Sequence, residues 1–260
     1  MSSYALSHYR ALSRRAIVNT ARQPASIAPA IIFPLFFMAL SSAAFQRSID
    51  LPGFPEVDSF LQFLVSTTII QGCLFGAVAA GSDMATDIEG GFFDRLIASP
   101  VTRRSILVGR VAGSALLGFS QAWIFFGVAS VFGLRSEGGI VSMLMISLVA
   151  SLFAAAIGSL NVAFALKTGS TEAVQGSFPL LFAAMFLSSA FFPRDLMSGW
   201  FKTAATVNPL SHLIEGLRTQ VIEGIDAGPY LVSLAIAGIL FVIAVSVATL
   251  ALRGRLAQRD

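Results

Sequence analysis

The chain has 260 residues, 55% of them hydrophobic and 12% charged, with a formal net charge of +3; a soluble domain carries roughly a quarter charged residues. The charges cluster into short links between long uncharged runs, which excludes an ordinary water-soluble globule. Cys73 is the only cysteine, which excludes intramolecular disulfides and cysteine-based metal sites.

The lead, residues 4–22, reads as an amphipathic helix. Ala5, Tyr9, Leu12 and Ala16 recur at helical spacing with Arg10 and Arg14 on another side, the pattern of a basic helix lying in a membrane interface; a disordered basic tail is the alternative. Gln23-Pro24 breaks it. No cleavable signal peptide is predicted, because the first apolar run is too long for an h-region. Six uncharged runs follow: 25–45, 59–82, 111–134, 138–166, 173–193 and 227–252, each of at least 21 residues. A helix of that length rises roughly 31 Å, enough to cross the hydrocarbon core. The expected fold is therefore an all-α membrane protein, with an interfacial helix over 1–24 and one six-span transmembrane domain over 25–260.

With the N-terminus inside, the inner segments hold Arg10, Arg14, Arg15, Arg22, Arg95, Arg103, Arg104, Arg110, Lys167, Arg253, Arg255 and Arg259. The outer segments hold only Arg47, Arg135, Arg194, Lys202 and Arg218. That bias predicts both termini in the cytoplasm, and the positive charge then answers anionic lipid headgroups rather than nucleic acid. The heavy preference for Arg over Lys is a coding bias that points to a GC-rich bacterial genome, hence a bacterial cytoplasmic membrane.

The stretch between runs two and three, "EGGFFDRLIASPVTRR" (89–104), interrupts this pattern. Phe92, Phe93, Leu96 and Ile97 fall within one apolar arc of a short helix, with Asp94 and Arg95 opposite. Gly90-Gly91 uncouples the turn from the second span and Ser99-Pro100 ends it. Thr102 is placed to cap the helix that carries Arg103, Arg104 and Arg110 into the third span. Asp83 and Asp87 are like charges four residues apart at a helix C-terminus, where the dipole disfavours anions; such local conflicts often mark contact sites. Within the second span Gly72 and Gly76 form a GxxxG, which permits close helix contact within one chain or between two.

The outer links are short except for 194–226. There Leu196, Met197, Trp200 and Phe201 suggest a short amphipathic piece. Asn208-Pro209 is a helix start, with Asn as N-cap and Pro at the first helical position. Leu210, Leu213, Ile214, Leu217 and Val221 form its apolar stripe, while Ser211, His212, Glu215 and Arg218 point elsewhere. Two short outer-side helices are expected at about 194–224. Arg194 and Asp195, at the exit of the fifth run, have no assigned role.

Catalytic residues are not predicted. Neither lysine follows a glycine, so no Walker A loop is present, and His8 and His212 lie outside the apolar runs, so neither serves an intramembrane protease. No His/Cys/carboxylate cluster suggests zinc. A lipid-headgroup transferase using Asp83, Asp87, Glu89 and Asp94 around magnesium is the alternative from another class. The six runs carry no Asp, Glu, Lys or Arg, which argues against an ion-coupled carrier. Gln71, Gln121, Asn161 and Gln175 are their strongest polar groups, and such amides usually bond between helices.

The order of these parts resembles type-2 ATP-binding-cassette transporter permeases, and within them the daunorubicin-resistance permease group. The likeness rests on "EGGFFDRLIASPVTRRSILVGR" (89–110), "FFPRDLMSGW" (191–200) and "NPLSHLIEGLR" (208–218), which include Phe192, Pro193, Asn208, Pro209, Glu215 and Arg218. The resemblance implies that the helix at about 89–100 is a coupling helix seated on a separate ATPase subunit. Glu89, Gly90, Gly91, Phe92, Phe93, Asp94, Arg95 and Pro100 would form the docking stretch, flanked by Arg103 and Arg104. ATP and magnesium would then be bound by the partner, with no cofactor or metal on this chain, and a second permease chain would complete the unit. The exported cargo would be a drug-like or lipid-like amphiphile, or else a polysaccharide or glycolipid. Phe75, Phe182, Met185 and Phe186 are the candidate path residues.

Overall fold

The computed structural model describes residues 24–99 and 103–257. The lead helix expected over 4–22, with Arg10 and Arg14, lies outside the described residues; so do Pro100, Thr102 and the side chains of Arg103 and Arg104. Among the described residues the regular elements are all helical. In chain order they are α1 (Pro24–Phe45), α2 (Phe60–Glu89), α3 (Phe92–Ala98), α4 (Arg103–Val131), α5 (Gly139–Thr168), α6 (Thr171–Gly176), α7 (Phe178–Phe186), α8 (Gly199–Val207), α9 (Pro209–Ile222) and α10 (Ala227–Ala257).

Among the described residues five helices are long and apolar enough to cross a membrane: Ala28–Asp50, Phe60–Glu89, Ser105–Val131, Gly139–Thr168 and Ala227–Ala257. The remaining uncharged run, 173–193, differs from the expected single helix. It forms α6 and α7, parted at Ser177, and helix stops at Phe186. Pro179 has no N–H for the carbonyl of Gln175, and Gly176 is a poor helix former, so the ladder fails there. At the break the Ser177 hydroxyl lies 2.7 Å from the Val174 carbonyl and 3.2 Å from Asn161 Oδ1 on α5.

Helix α5 is the hub, packing on α2, α4 and α10, while α2 also receives α1 and α9. Small residues set the α2–α4 separation. A Cβ on Gly72 would stand 2.4 Å from the Phe125 ring, and one on Gly76 2.8 Å from Leu117. The GxxxG is thus a contact inside one chain.

The α1 contact rests on a backbone defect. Pro34 lacks the N–H that would serve the Ala30 carbonyl four residues earlier. Gln121 of α4, fully buried, supplies the donor: its Nε2 lies 3.0 Å from the Ala30 carbonyl and 3.1 Å from that of Gly72. Gln121→Leu leaves the Ala30 carbonyl without a donor in an apolar setting, an expected cost of about 1–3 kcal/mol. The thermal aggregation midpoint of the detergent-solubilised protein should fall; an unchanged midpoint would show that this contact carries no weight.

The caps also follow from sequence. Ser59 caps α2 by accepting from the Gln62 N–H, and Gln62 Oε1 in turn accepts from the Asp58 N–H at 2.9 Å, a reciprocal arrangement close to a capping box. Two hydrophobic cores result: a larger one around α2, α4, α5 and α9, and a smaller one around Met84, Phe93, Leu107, Leu166 and Leu252 at the end that bears α3.

Candidate functional site

At the α3 end the chain leaves α2 through Gly90, whose N–H bonds the Thr86 carbonyl at 2.9 Å. Gly91 then takes φ +67°, a left-handed conformation that permits the turn into α3. A helix of seven residues does not persist by itself. Phe93 fixes it: the ring is 1% exposed and belongs to the smaller core with Met84, Ile106, Leu107, Leu166 and Val174. The expected docking surface included Phe93, and here the structure departs from the expectation. A helix laid across the end of a bundle must turn one face inward, and Phe93 is on that face. Phe92 is half-buried, and Asp94 and Arg95 are exposed. Glu89 is exposed as well, but its carboxylate accepts from the Thr171 N–H (2.8 Å) and hydroxyl (3.2 Å), so it fastens the end of α2 to the start of α6.

The conflict read at Asp83 and Asp87 is resolved by a cation 23 residues beyond Asp87. Arg110 Nη1 lies 3.3 Å from Asp83 Oδ2, and its Nη2 bonds Asp87 Oδ2. These side chains are 11% (Arg110), 17% (Asp83) and 18% (Asp87) exposed, so the charges meet largely out of water. The guanidinium occupies the space between the two acids. Among the described residues no three His, Cys, Asp or Glu side chains converge on a metal position. Nearby, Arg255 Nη1 donates to the Leu166 carbonyl at 2.8 Å and ties α10 to the end of α5.

At the opposite end, the backbone after α7 leaves helical geometry inside the protein, where its carbonyls need donors. Helix α9 and its N-cap provide them. Asn208 Oδ1 accepts from the Leu210 N–H (2.9 Å), which caps α9, and its Nδ2 donates to the carbonyls of Ala184 (2.7 Å) and Leu187 (2.9 Å). Pro209 follows as the first helical residue. The Ser189 N–H donates to the Ser211 hydroxyl at 3.0 Å.

Arg218 completes the set. Its Nη2 lies 3.1 Å from the Ser189 carbonyl and 3.0 Å from that of Ala190, its Nε donates to the Phe63 carbonyl at 3.1 Å, and its guanidinium carbon stands 3.5 Å from the Phe63 ring centroid. The helical pattern of α9 put Arg218 and Ser211 away from the apolar stripe; instead Arg218 is 5% exposed and Ser211 fully buried. Burial pulls the Arg218 pKa down to about 9, opposed by nearby Glu215, so the group is a cation at neutral pH, held by carbonyl dipoles. Glu215 pairs with Arg194, which gives that residue a partner the sequence reading lacked. Phe192 is half-buried against Phe45, with ring centroids 5.5 Å apart, and Pro193 is buried.

Of the candidate path residues, Phe75, Phe182 and Phe186 lie in one aromatic strip along α1, α2 and α7. Phe178 sits 4.5 Å from Phe75, Phe75 5.0 Å from Phe33, Phe182 5.0 Å from Phe186, and Phe186 4.9 Å from Phe191. Met185 does not join them, because its side chain is fully buried in the larger core. The amides divide in the same way. Gln121 and Asn161 bond other groups of the fold, Gln71 is buried, and Gln175 is exposed.

Residues 7–222 match the family of ABC-2 type transporters. The chain is 25% identical to the daunorubicin resistance ABC transporter permease protein DrrB1 of Streptomyces coeruleorubidus, over 78% of this chain and 71% of that protein. It is 26% identical to the probable doxorubicin resistance ABC transporter permease protein DrrC of Mycobacterium tuberculosis, over 91% and 85%. It is 32% identical to the putative transport permease ycf38 of Pyropia yezoensis, over 80% and 72%.

Proposed function

The chain belongs to the ABC-2 type transporter family and is a membrane transport permease subunit, and from that premise we propose that it exports an amphiphile with energy drawn from a separate ATPase chain. The observation that carries this reading is α3, a short helix pinned inward by Phe93 and presenting Asp94 and Arg95 outward. A rigid protrusion with a charged face is what a second protein can grip and push. ATP and its magnesium would sit on that partner.

In this reading both termini and α3 face the cytoplasm, consistent with the Arg and Lys bias, and α8 and α9 face outward. The broken α6–α7 segment would serve as the remaining crossing, making six. Two permease chains would enclose the path, with the aromatic strip at Phe75, Phe182 and Phe186 supplying an apolar, π-rich wall. Such a wall suits drug-like or lipid-like molecules, and two relatives carry the names of drug-resistance permeases. The bacterial cytoplasmic membrane is the proposed location.

The test is capture of the solubilised full chain, wild type beside Asp94→Ala/Arg95→Ala, with the bound proteins identified. Loss of two contact charges should weaken ATPase retention by about 2 kcal/mol, on the order of thirtyfold. Equal retention by both forms would remove α3 as the docking element, and absence of any ATPase from both would sink the exporter reading.

A further inference from the structure

Two features at the end opposite α3 belong together. One is an apolar cavity of about 300 Å³, at the small end of ligand-sized sites. On one side it is walled by Phe37, Phe45 and Phe60 of α1 and α2, on the other by Phe186 at the end of α7 and by Phe191 and Phe192 of the segment after it, with Ser188 between them. The other feature is Arg218, which fastens that same segment. Its bonds reach Ser189 and Ala190 on the movable wall and Phe63 and Thr67 on α2. Thr67 adds a direct bridge, its hydroxyl 2.6 Å from the Ala190 carbonyl. The wall segment is irregular between Leu187 and Pro193; besides these bonds it is tied to α9 by the Ser189 N–H on Ser211 and by the Asn208 amide on the Leu187 carbonyl, so loss of the Arg218 set loosens it locally rather than freeing it.

The cavity is partly open at Phe45 and Phe186, and we propose that Arg218 is a latch that keeps the wall segment 187–193 against α2, so that its release widens the cavity to admit the aromatic or other apolar portion of an amphiphile. The latch is well suited to reversible use. A guanidinium held by carbonyls and a ring face leaves no buried carboxylate stranded when it swings away, because nearby Glu215 keeps Arg194 as its ion-pair partner. The identity of the guest rests on the permease reading, but opening of the wall is measured on this chain alone, so the two can fail separately.

The experiment uses the full chain in lipid nanodiscs with Ser188→Cys, a near-isosteric change at a side chain 2% exposed on the cavity wall. Reaction of the introduced thiol with pyrenyl maleimide and with a sulfonated maleimide is followed in the presence of Arg218, of Arg218→Lys and of Thr67→Val. Native Cys73, fully buried in α2, is the internal control for loosening of the whole bundle. Lysine keeps the charge but not the fork that spans several acceptors. Arg218→Lys should therefore speed pyrenyl labelling about tenfold, the size of one lost charge-assisted hydrogen bond, with a smaller rise for Thr67→Val. Cys73 should stay unreactive, and the pyrenyl reagent should outpace the charged one. An unchanged rate in Arg218→Lys overturns the latch. So does labelling of Cys73 in step with the introduced thiol, since Arg218 would then only hold the fold together. Faster entry by the sulfonated reagent would overturn the apolar guest.

Discussion

Arg110→Leu is expected to destabilise the folded protein by about 3–5 kcal/mol, because it strips the shared cation from two carboxylates that are largely out of water. Asp83 and Asp87 lie one helical turn apart on α2, and the guanidinium of Arg110 bridges them from α4. Without it, their mutual repulsion adds to their desolvation and to the unfavourable end of the α2 dipole. The same guanidinium also reaches the Asp83 carbonyl at 3.3 Å, so one side chain serves the backbone and both acids. The measurement is the yield of monodisperse protein and its thermal aggregation midpoint in detergent. Combining Arg110→Leu with Asp83→Asn/Asp87→Asn removes the repulsion and should recover most of the midpoint, since a neutralised site costs less than a broken one. If the triple variant is no better than Arg110→Leu alone, the loss came from packing of the arginine stem and the charge argument is wrong.

That triad also marks where sequence reading stops. Asp83 and Asp87 were visible as a local conflict, but nothing in their own segment names the partner that resolves it; Arg110 comes from the next helix. The five long helices were legible because length and lack of charge are sufficient evidence for a membrane-length helix. The turn at Gly90-Gly91 and the cap at Asn208-Pro209 were legible for a different reason: each depends on backbone chemistry within three or four residues. The interruption of run 173–193 was present in the sequence as Gly176 and Pro179, yet uniform apolarity outweighed it in the reading. The burial and the partners of Arg218 were not legible, though the resemblance singled out the residue. A helical pattern sorts residues into polar and apolar sides, and it cannot register that the polar side of α9 faces the unsatisfied carbonyls of another segment. The acceptor at Phe63 is 155 residues away. Phe93 is a different case: its helical pattern put it on the apolar arc, where it is buried, and only the family resemblance, which names a stretch and not a face, counted it in the docking surface.

Phe93→Ala should therefore behave unlike any change on the exposed face of α3. Truncating a fully buried phenylalanine typically costs about 3–5 kcal/mol, and here the loss falls on the one fully buried side chain of a seven-residue helix. Leu96 and Ile97 are only half-buried and cannot replace it. The neighbours Met84, Leu107, Leu166 and Val174 belong to α2, α4, α5 and α6, so the ring is also the point at which a push on α3 would enter the bundle. Asp94→Ala/Arg95→Ala alters what a partner grips, and under the exporter reading it should lower ATPase capture with little change in the thermal midpoint. Phe93→Ala alters what the grip is attached to. The variant should show a lower midpoint and faster proteolysis between Glu89 and Arg104, and any ATPase that still binds should hydrolyse ATP without driving export. Phe93→Leu, which refills most of the volume, should restore the midpoint and export together. Restoration of the midpoint without export would mean that force enters the bundle elsewhere, with the Glu89–Thr171 contact the next place to cut.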